Sequence, residues 1–201
     1  MFSSSPRSSR RKKTIFVTVG TTKFDLLIEG VTTPEALQWM NKNGYTHLII
    51  QYGKGTKPRS SLDDAGLLTV ETYDFKSSLG ADMAAADLVL SHAGAGTVME
   101  ALRLGKRLVV VINTALMDNH QTELAHAMAK RGHLFVVEQP EDLNKTNSTS
   151  SLMETWNDFD SFVPIPHQGG DPNDFSNILN QHMGVVSLPT AAAAVETSKA
   201  S

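Results

Sequence analysis

The sequence predicts an α/β fold built on a single Rossmann-like, doubly wound parallel sheet, and three observations carry that prediction. Short apolar, β-branched runs alternate with segments of helical periodicity from Thr14 to Leu143. The run from Arg107 to Asn113 is almost wholly aliphatic in its interior, as a parallel strand covered on both faces must be. Turns at 20–22, 91–97 and 113–121 each follow such a run. They would therefore gather at the carboxyl edge of the sheet, where folds of this class hold their ligands.

The elements read in order as follows. Thr14 to Val19 is a β-branched strand that ends in Gly20-Thr21-Thr22, with a helix expected from Phe24. Pro34 to Asn43 reads as a helix with proline in its first turn. His47 to Tyr52 and Leu68 to Tyr73 are the second and third strands, Ser77 to Ala86 is helical, and Leu88 to Ser91 is the fourth strand. A nine-residue glycine turn, Ser91 to Met99, leads into a helix that stops at Gly105. Arg107 to Asn113 is the fifth strand, His120 to Arg131 a helix stopped by Gly132, and Leu134 to Val137 the sixth strand. A last helix begins at Glu141-Asp142-Leu143.

Composition sets the bounds. The 201 residues are 40% hydrophobic, enough for one globular domain with a core, plus tails. Residues 1–13 form a basic tail, expected to be disordered, with contact to acidic lipid headgroups as the alternative. Residues 14–156 form the domain. Residues 157–173, rich in proline and glycine, read as a loop insertion. Residues 174–186 are expected to form a C-terminal helix that either packs on its own domain or docks onto another chain, and 187–201 a disordered tail. The net charge of −3 gives no overall basic field for nucleic acid. The absence of cysteine excludes disulfides and thiolate zinc sites, and is compatible with a reducing compartment. No apolar stretch approaches the roughly 20 residues of a membrane span.

The turn Ser91-His92-Ala93-Gly94-Ala95-Gly96-Thr97 points to a phosphate-bearing ligand. Small residues let a backbone approach closely, and the amides and dipole of a helix start favour an anion. It is not a dinucleotide fingerprint, because Met99 stands where a third small residue belongs, and the following strand ends in Asn113 rather than an acid. Gly53-Lys54-Gly55-Thr56-Lys57 lacks the spacing of a P-loop. The histidines form no metal-ligand pattern.

Several residues have two readings. Thr97-x-x-Glu100 fits a capping box, while the Glu100 carboxylate could instead accept hydrogen bonds from two ribose hydroxyls. His92 could hold the turn or touch a sugar or phosphate. Asp118-Asn119-His120-Gln121 offers ordinary N-capping residues, or a cluster suited to sugar hydroxyls because amides and imidazoles both donate and accept.

Taken together, Ser91 to Thr97, Glu100-Ala101-Leu102, Gly105-Lys106 and Asn119-His120-Gln121-x-Glu123-Leu124-Ala125 resemble the donor-binding half of GT-B glycosyltransferases of family 28. Phe16-Val17-Thr18-Val19-Gly20-Thr21-Thr22-x-Phe24-Asp25-x-Leu27-Ile28 is similar to the soluble catalytic subunits of eukaryotic UDP-N-acetylglucosamine transferases that add the second sugar of the dolichol-linked oligosaccharide. The resemblance implies transfer of GlcNAc from UDP-GlcNAc to dolichyl-diphosphate-GlcNAc, with inversion and without a metal or other cofactor. It implies that Gly20, Thr21, Thr22 and the turn Ala93, Gly94, Ala95, Gly96 and Thr97 cradle the diphosphate. Glu100 would hold the ribose, Tyr73 to Phe75 would lie near the uracil, and Asn119 and Gln121, beside His120, would contact the sugar. His92 is the local candidate for a general base. The chain carries neither an acceptor domain nor a membrane segment, so the expectation is a heterodimer with a membrane-anchored, acceptor-binding partner on the cytosolic face of the endoplasmic reticulum. A non-catalytic nucleotide-sugar-binding module is the alternative. A UDP-GlcNAc 2-epimerase would need a second domain.

Overall fold

The computed structural model describes residues 12–59, 66, 68–114, 119–143, 156–159 and 161–167, with backbone alone for 119–121. All lie in a first compact unit, Met1–His167; the second, Gln168–Ser201, lies outside the described residues, as do the expected helix at 174–186 and tail at 187–201.

Six strands, β1 (Thr14–Thr18), β2 (His47–Gln51), β3 (Thr69–Tyr73), β4 (Leu88–His92), β5 (Arg107–Val111) and β6 (Phe135–Val137), form one sheet in the order β3-β2-β1-β4-β5-β6. Every pairing is parallel. The chain winds outward from β1 in one direction and then from β4 in the other. The switch point therefore lies between β1 and β4, where Thr18 is in register with Ser91. β1 and β4 are buried at every position, their apolar centres flanked by the buried polar residues Thr14, Thr18, Ser91 and His92.

The helices are α1 (Asp25–Val31), α2 (Pro34–Lys42), α3 (Gly80–Ala85), α4 (Ala95–Arg103) and α5 (Asn119–Lys130). Helix α2 starts as its sequence requires: Thr33 is the N-cap, its hydroxyl accepting from the Ala36 amide at 3.2 Å, and Pro34 occupies the first helical position. Leu27, Ile28 and Val31 of α1 and Leu37, Trp39 and Met40 of α2 bury their apolar stripes in a core shared with Ile15, Val17, Leu48 and Ile50.

Four expectations are corrected. The region 77–79 does not join α3, which begins at Gly80. The expected helix at Glu141 is a short 3-10 turn, Pro140–Leu143, packed so closely on α1 that a β-carbon on Gly30 would lie 2.7 Å from that of Leu143. Lys13 is not part of a disordered tail, since its carbonyl accepts from Thr46 and its ammonium lies 4.0 Å above the Tyr45 ring, while residues 1–11 lie outside the described residues. Residues 157–167 are not a loose insertion. Residues 156–159 are helical, and Trp156 and Phe159 are fully buried. Trp156 packs 5.1 Å from Trp39, and Phe159 packs 5.5 Å from Phe135. Aromatic burial at i and i+3 outweighs the loop-forming composition of the prolines that follow.

Candidate functional site

The loops after β1, β2, β3 and β4 open on the carboxyl edge of the sheet. At its centre the expected long glycine turn is much shorter. Strand β4 continues through His92, the Gly94 amide donates back to the His92 carbonyl at 2.8 Å, and α4 starts at Ala95. Gly96 and Thr97 are therefore the second and third residues of a helix. This removes the capping-box reading: the N-cap is Gly94, no side chain caps the helix, and Thr97 is already helical. The first-turn amides of α4, at Ala95, Gly96 and Thr97, are left uncapped beside the switch point.

His92 connects this turn to the one after β1. Its side chain is 94% withdrawn from solvent, at 6% exposure. The ring lies between two glycines: a β-carbon on Gly20 would stand 2.7 Å from His92 Cε1, and one on Gly94 would overlap His92 Nε2. The buried Nδ1 has no hydrogen-bond partner among the described residues. Burial pushes the His92 pKa down, with the Thr18 backbone opposing it, so the imidazole is neutral at pH 7. A β-carbon at Gly96, by contrast, would meet no atom of the described residues outside its own helix within 4 Å. None of the described residues requires Gly96 to be glycine.

The turn at 20–22 is fastened by a residue that the sequence reading treated only as part of a strand. Gln51, 1% exposed at the end of β2, accepts from the Thr18 hydroxyl at 2.6 Å and the Val19 amide at 3.2 Å. Its amide nitrogen donates to the carbonyls of Gly20 at 2.7 Å and Asp74 at 2.6 Å. One side chain thus ties the loops after β1 and β3 together. The available signal was a polar residue closing an otherwise apolar strand. Thr22 turns inward, its hydroxyl donating to Val19 at 2.8 Å, while Thr21 is exposed.

A second group forms around α3. The Glu100 carboxylate reaches from α4 to the start of α3, where a β-carbon on Gly80 would lie 3.0 Å from Glu100 Oε1. Tyr73 donates to Asp82 at 2.6 Å, and Lys76 pairs with the same carboxylate at 2.7 Å while lying 4.0 Å above the Tyr73 ring. Burial first, and then the hydrogen bond and charge of Asp82, hold the Tyr73 phenol above its ordinary pKa. Its hydroxyl is committed within the protein, and Phe75 is left as the exposed aromatic, at 49%. Helix α5 begins at Asn119 itself; the side chains of Asn119, His120 and Gln121 lie outside the described residues. The structure thus brings Gly20, His92 and Gly94 together, places Glu100 beside Gly80, and pairs Tyr73 with Asp82. Among the described residues no group of three histidines and carboxylates could hold a metal ion, and no helix is long and apolar enough to cross a membrane.

The doubly wound parallel sheet is a Rossmann-like α/β domain, the fold of GT-B glycosyltransferases. The chain belongs to the glycosyltransferase family 28 C-terminal domain family, whose model matches residues 14–155. It is 51% identical over 123 residues to the UDP-N-acetylglucosamine transferase subunit ALG13 of Homo sapiens, a match covering 61% of this chain and 11% of that protein. The chain therefore spans about a tenth of that relative's length. Among solved structures it is similar to the NMR structure of ALG13, with TM-score 0.59 and 25% identity over 84% of this chain and 95% of that one. It also shares the fold of Acinetobacter baumannii MurG, with TM-score 0.52 and 19% identity over 88% of this chain and 51% of that one.

Proposed function

We propose that this chain is the donor-binding, catalytic subunit of an inverting N-acetylglucosaminyltransferase. It would transfer GlcNAc from UDP-GlcNAc to dolichyl-diphosphate-GlcNAc, in complex with a membrane-anchored acceptor-binding subunit on the cytosolic face of the endoplasmic reticulum. The observation that carries this reading is the pairing of an uncapped α4 start with Gly96, a glycine that none of the described residues requires. A helical glycine is about 1 kcal/mol less favourable than alanine. A diphosphate lying against the turn accounts for it.

In this reading the acceptor hydroxyl attacks the anomeric carbon from the face opposite UDP, a base takes the hydroxyl proton, and UDP leaves. The charge developing on the diphosphate is met by the α4 amides and by Thr21 of the turn after β1, fixed donors that need no reorganisation as the bond breaks, while Gly20 and Thr22, whose amides already donate to Thr18 and Val19, shape the turn. Glu100 accepts from the ribose hydroxyls. Phe75 and Tyr73, the latter's hydroxyl held by Asp82, line the uracil side. Asn119, His120 and Gln121 at the start of α5 contact the sugar. His92 is neutral at pH 7, as a general base must be, but its ring is gripped between Gly20 and Gly94. Its first role is to fix the distance between the two phosphate-facing turns.

The test is transfer of labelled GlcNAc to dolichyl-diphosphate-GlcNAc by membranes that hold the anchor subunit and lack the endogenous soluble one. Restoration of the two-sugar lipid on adding this chain supports the proposal. UDP-GlcNAc binding without transfer makes the chain a non-catalytic nucleotide-sugar-binding module.

A further inference from the structure

The loop after β2 is held more firmly than a surface loop needs to be. Gly53 is buried at φ +56°, and a β-carbon there would lie 2.6 Å from the Thr22 carbonyl and 2.8 Å from that of Gly20. The Lys54 amide donates to the Thr22 carbonyl at 3.0 Å, and the Gly55 amide to that of Tyr52 at 2.9 Å. Gly55 has no room for a side chain either, since its β-carbon would stand 2.5 Å from Asp25 Oδ1. Asp25 then accepts from the Thr56 amide at 2.8 Å and the Thr56 hydroxyl at 3.1 Å.

Two glycines and four hydrogen bonds thus fix the backbone of Lys54 against the Gly20–Thr22 turn. The charges differ in kind. Lys23 is answered by Asp25 at 3.2 Å. Lys54, Lys57 and Arg59 are all exposed, and none of the three makes an ion pair among the described residues. A backbone ordered in advance loses less entropy when its side chain takes a ligand, and a lysine ammonium recognises phosphate as a point charge.

We propose that the Gly53–Thr56 loop is an anion site in which Lys54 binds a diphosphate beside the Gly20–Thr22 turn. The inference rests on the transferase reading for the source of that diphosphate, because two take part in the reaction, one in the sugar donor and one in the lipid acceptor.

The experiment is isothermal titration of inorganic pyrophosphate into the full chain, free and UDP-saturated, and of UDP-GlcNAc into the free chain, for wild type, K54A and K54R. K54A is expected to weaken pyrophosphate binding roughly ten-fold, the loss of one charge-assisted contact, with K54R close to wild type. If the diphosphate is the donor's, UDP-GlcNAc affinity falls in parallel and UDP blocks pyrophosphate. If it is the acceptor's, UDP-saturated wild type still takes pyrophosphate, UDP-saturated K54A takes it with the same roughly ten-fold loss, and UDP-GlcNAc affinity holds. Equal pyrophosphate affinity in wild type and K54A, or none in wild type, overturns the proposal. Pyrophosphate binding that needs Lys54, in a chain that does not bind UDP-GlcNAc, keeps the anion site and removes the transferase reading.

Discussion

The imidazole of His92 occupies the space that any side chain on Gly20 would need, its Cε1 standing 2.7 Å from where a β-carbon would be. Gly94 meets the same ring from the other side, but the two glycines differ in backbone: Gly20 has φ +59°, whereas Gly94 lies at φ −68°, open to any residue. Gly94→Ala should therefore destabilise by about 1–3 kcal/mol through overpacking alone. Gly20→Ala adds backbone strain of about 1 kcal/mol or more. A double-mutant cycle with His92→Ala, read by urea denaturation, should relieve nearly all of the Gly94→Ala penalty and only part of the Gly20→Ala penalty. Additive effects would show that the ring is not the obstacle.

The burial that lowers the His92 pKa makes stability depend on pH. Above about pH 7.5 the ring is neutral folded and unfolded, and it contributes no slope. As pH falls through about 6.5 the unfolded chain takes the proton first, so stability drops until the lowered folded pKa is passed. His92→Asn, which cannot titrate, should flatten the stability curve on the acid side of pH 6.5. An unchanged slope in that variant would place the acid sensitivity elsewhere, with His167, also lowered by burial and by its cationic neighbours, as the next group to replace.

Gln51 is the side chain on which the site's loops depend. Gln51→Leu keeps the volume but strips the carbonyls of Gly20 and Asp74 of their shared donor and the Thr18 hydroxyl of its acceptor. A loss of about 2–4 kcal/mol is expected, because buried groups left unpaired each cost about 1–3 kcal/mol. The functional signature is a weaker affinity for UDP in the part of the variant that remains folded, measured by titration well below its unfolding temperature.

The parallel sheet was legible because β-branched runs and helix periods recur at the spacing a βαβ unit needs, and each strand lies within a residue or two of its run. What escaped the sequence was decided by contacts distant along the chain. Gln51 reads as one more strand residue until its partners at Thr18, Gly20 and Asp74 are placed around it. Thr97-x-x-Glu100 matches a capping box, but that motif needs a non-helical threonine, and the tight His92–Gly94 turn starts the helix earlier. The prolines and glycines of 157–173 hid the aromatic spacing of Trp156, Phe159 and Phe162, which packs this stretch onto β6 and α2.

That packing makes Trp156 part of the domain although it lies past the region matched by the family model. Trp156→Ala removes a fully buried indole from between Trp39 and Phe159, and should cost about 3–5 kcal/mol. A chain ending at residue 155 should unfold at a markedly lower urea concentration than one ending at 167. Equal midpoints would mean that the contacts of 156–162 add nothing to stability.

Glu100 separates a structural role from a ligand-binding one. The α4 cap is Gly94, so Glu100 satisfies no helix-end amide. Its carboxylate lies at the start of α3 and makes no hydrogen bond or ion pair among the described residues. Glu100→Ala should therefore leave the urea midpoint nearly unchanged, within about 0.5 kcal/mol. Two charge-assisted hydrogen bonds to ribose hydroxyls should be lost from the donor complex, lowering UDP-GlcNAc affinity roughly ten- to a hundred-fold. A UDP analogue lacking both ribose hydroxyls supplies the control, because it should bind wild type and Glu100→Ala alike. A variant that loses about 1 kcal/mol of stability while keeping donor affinity would return Glu100 to the helix and leave the ribose without its partner.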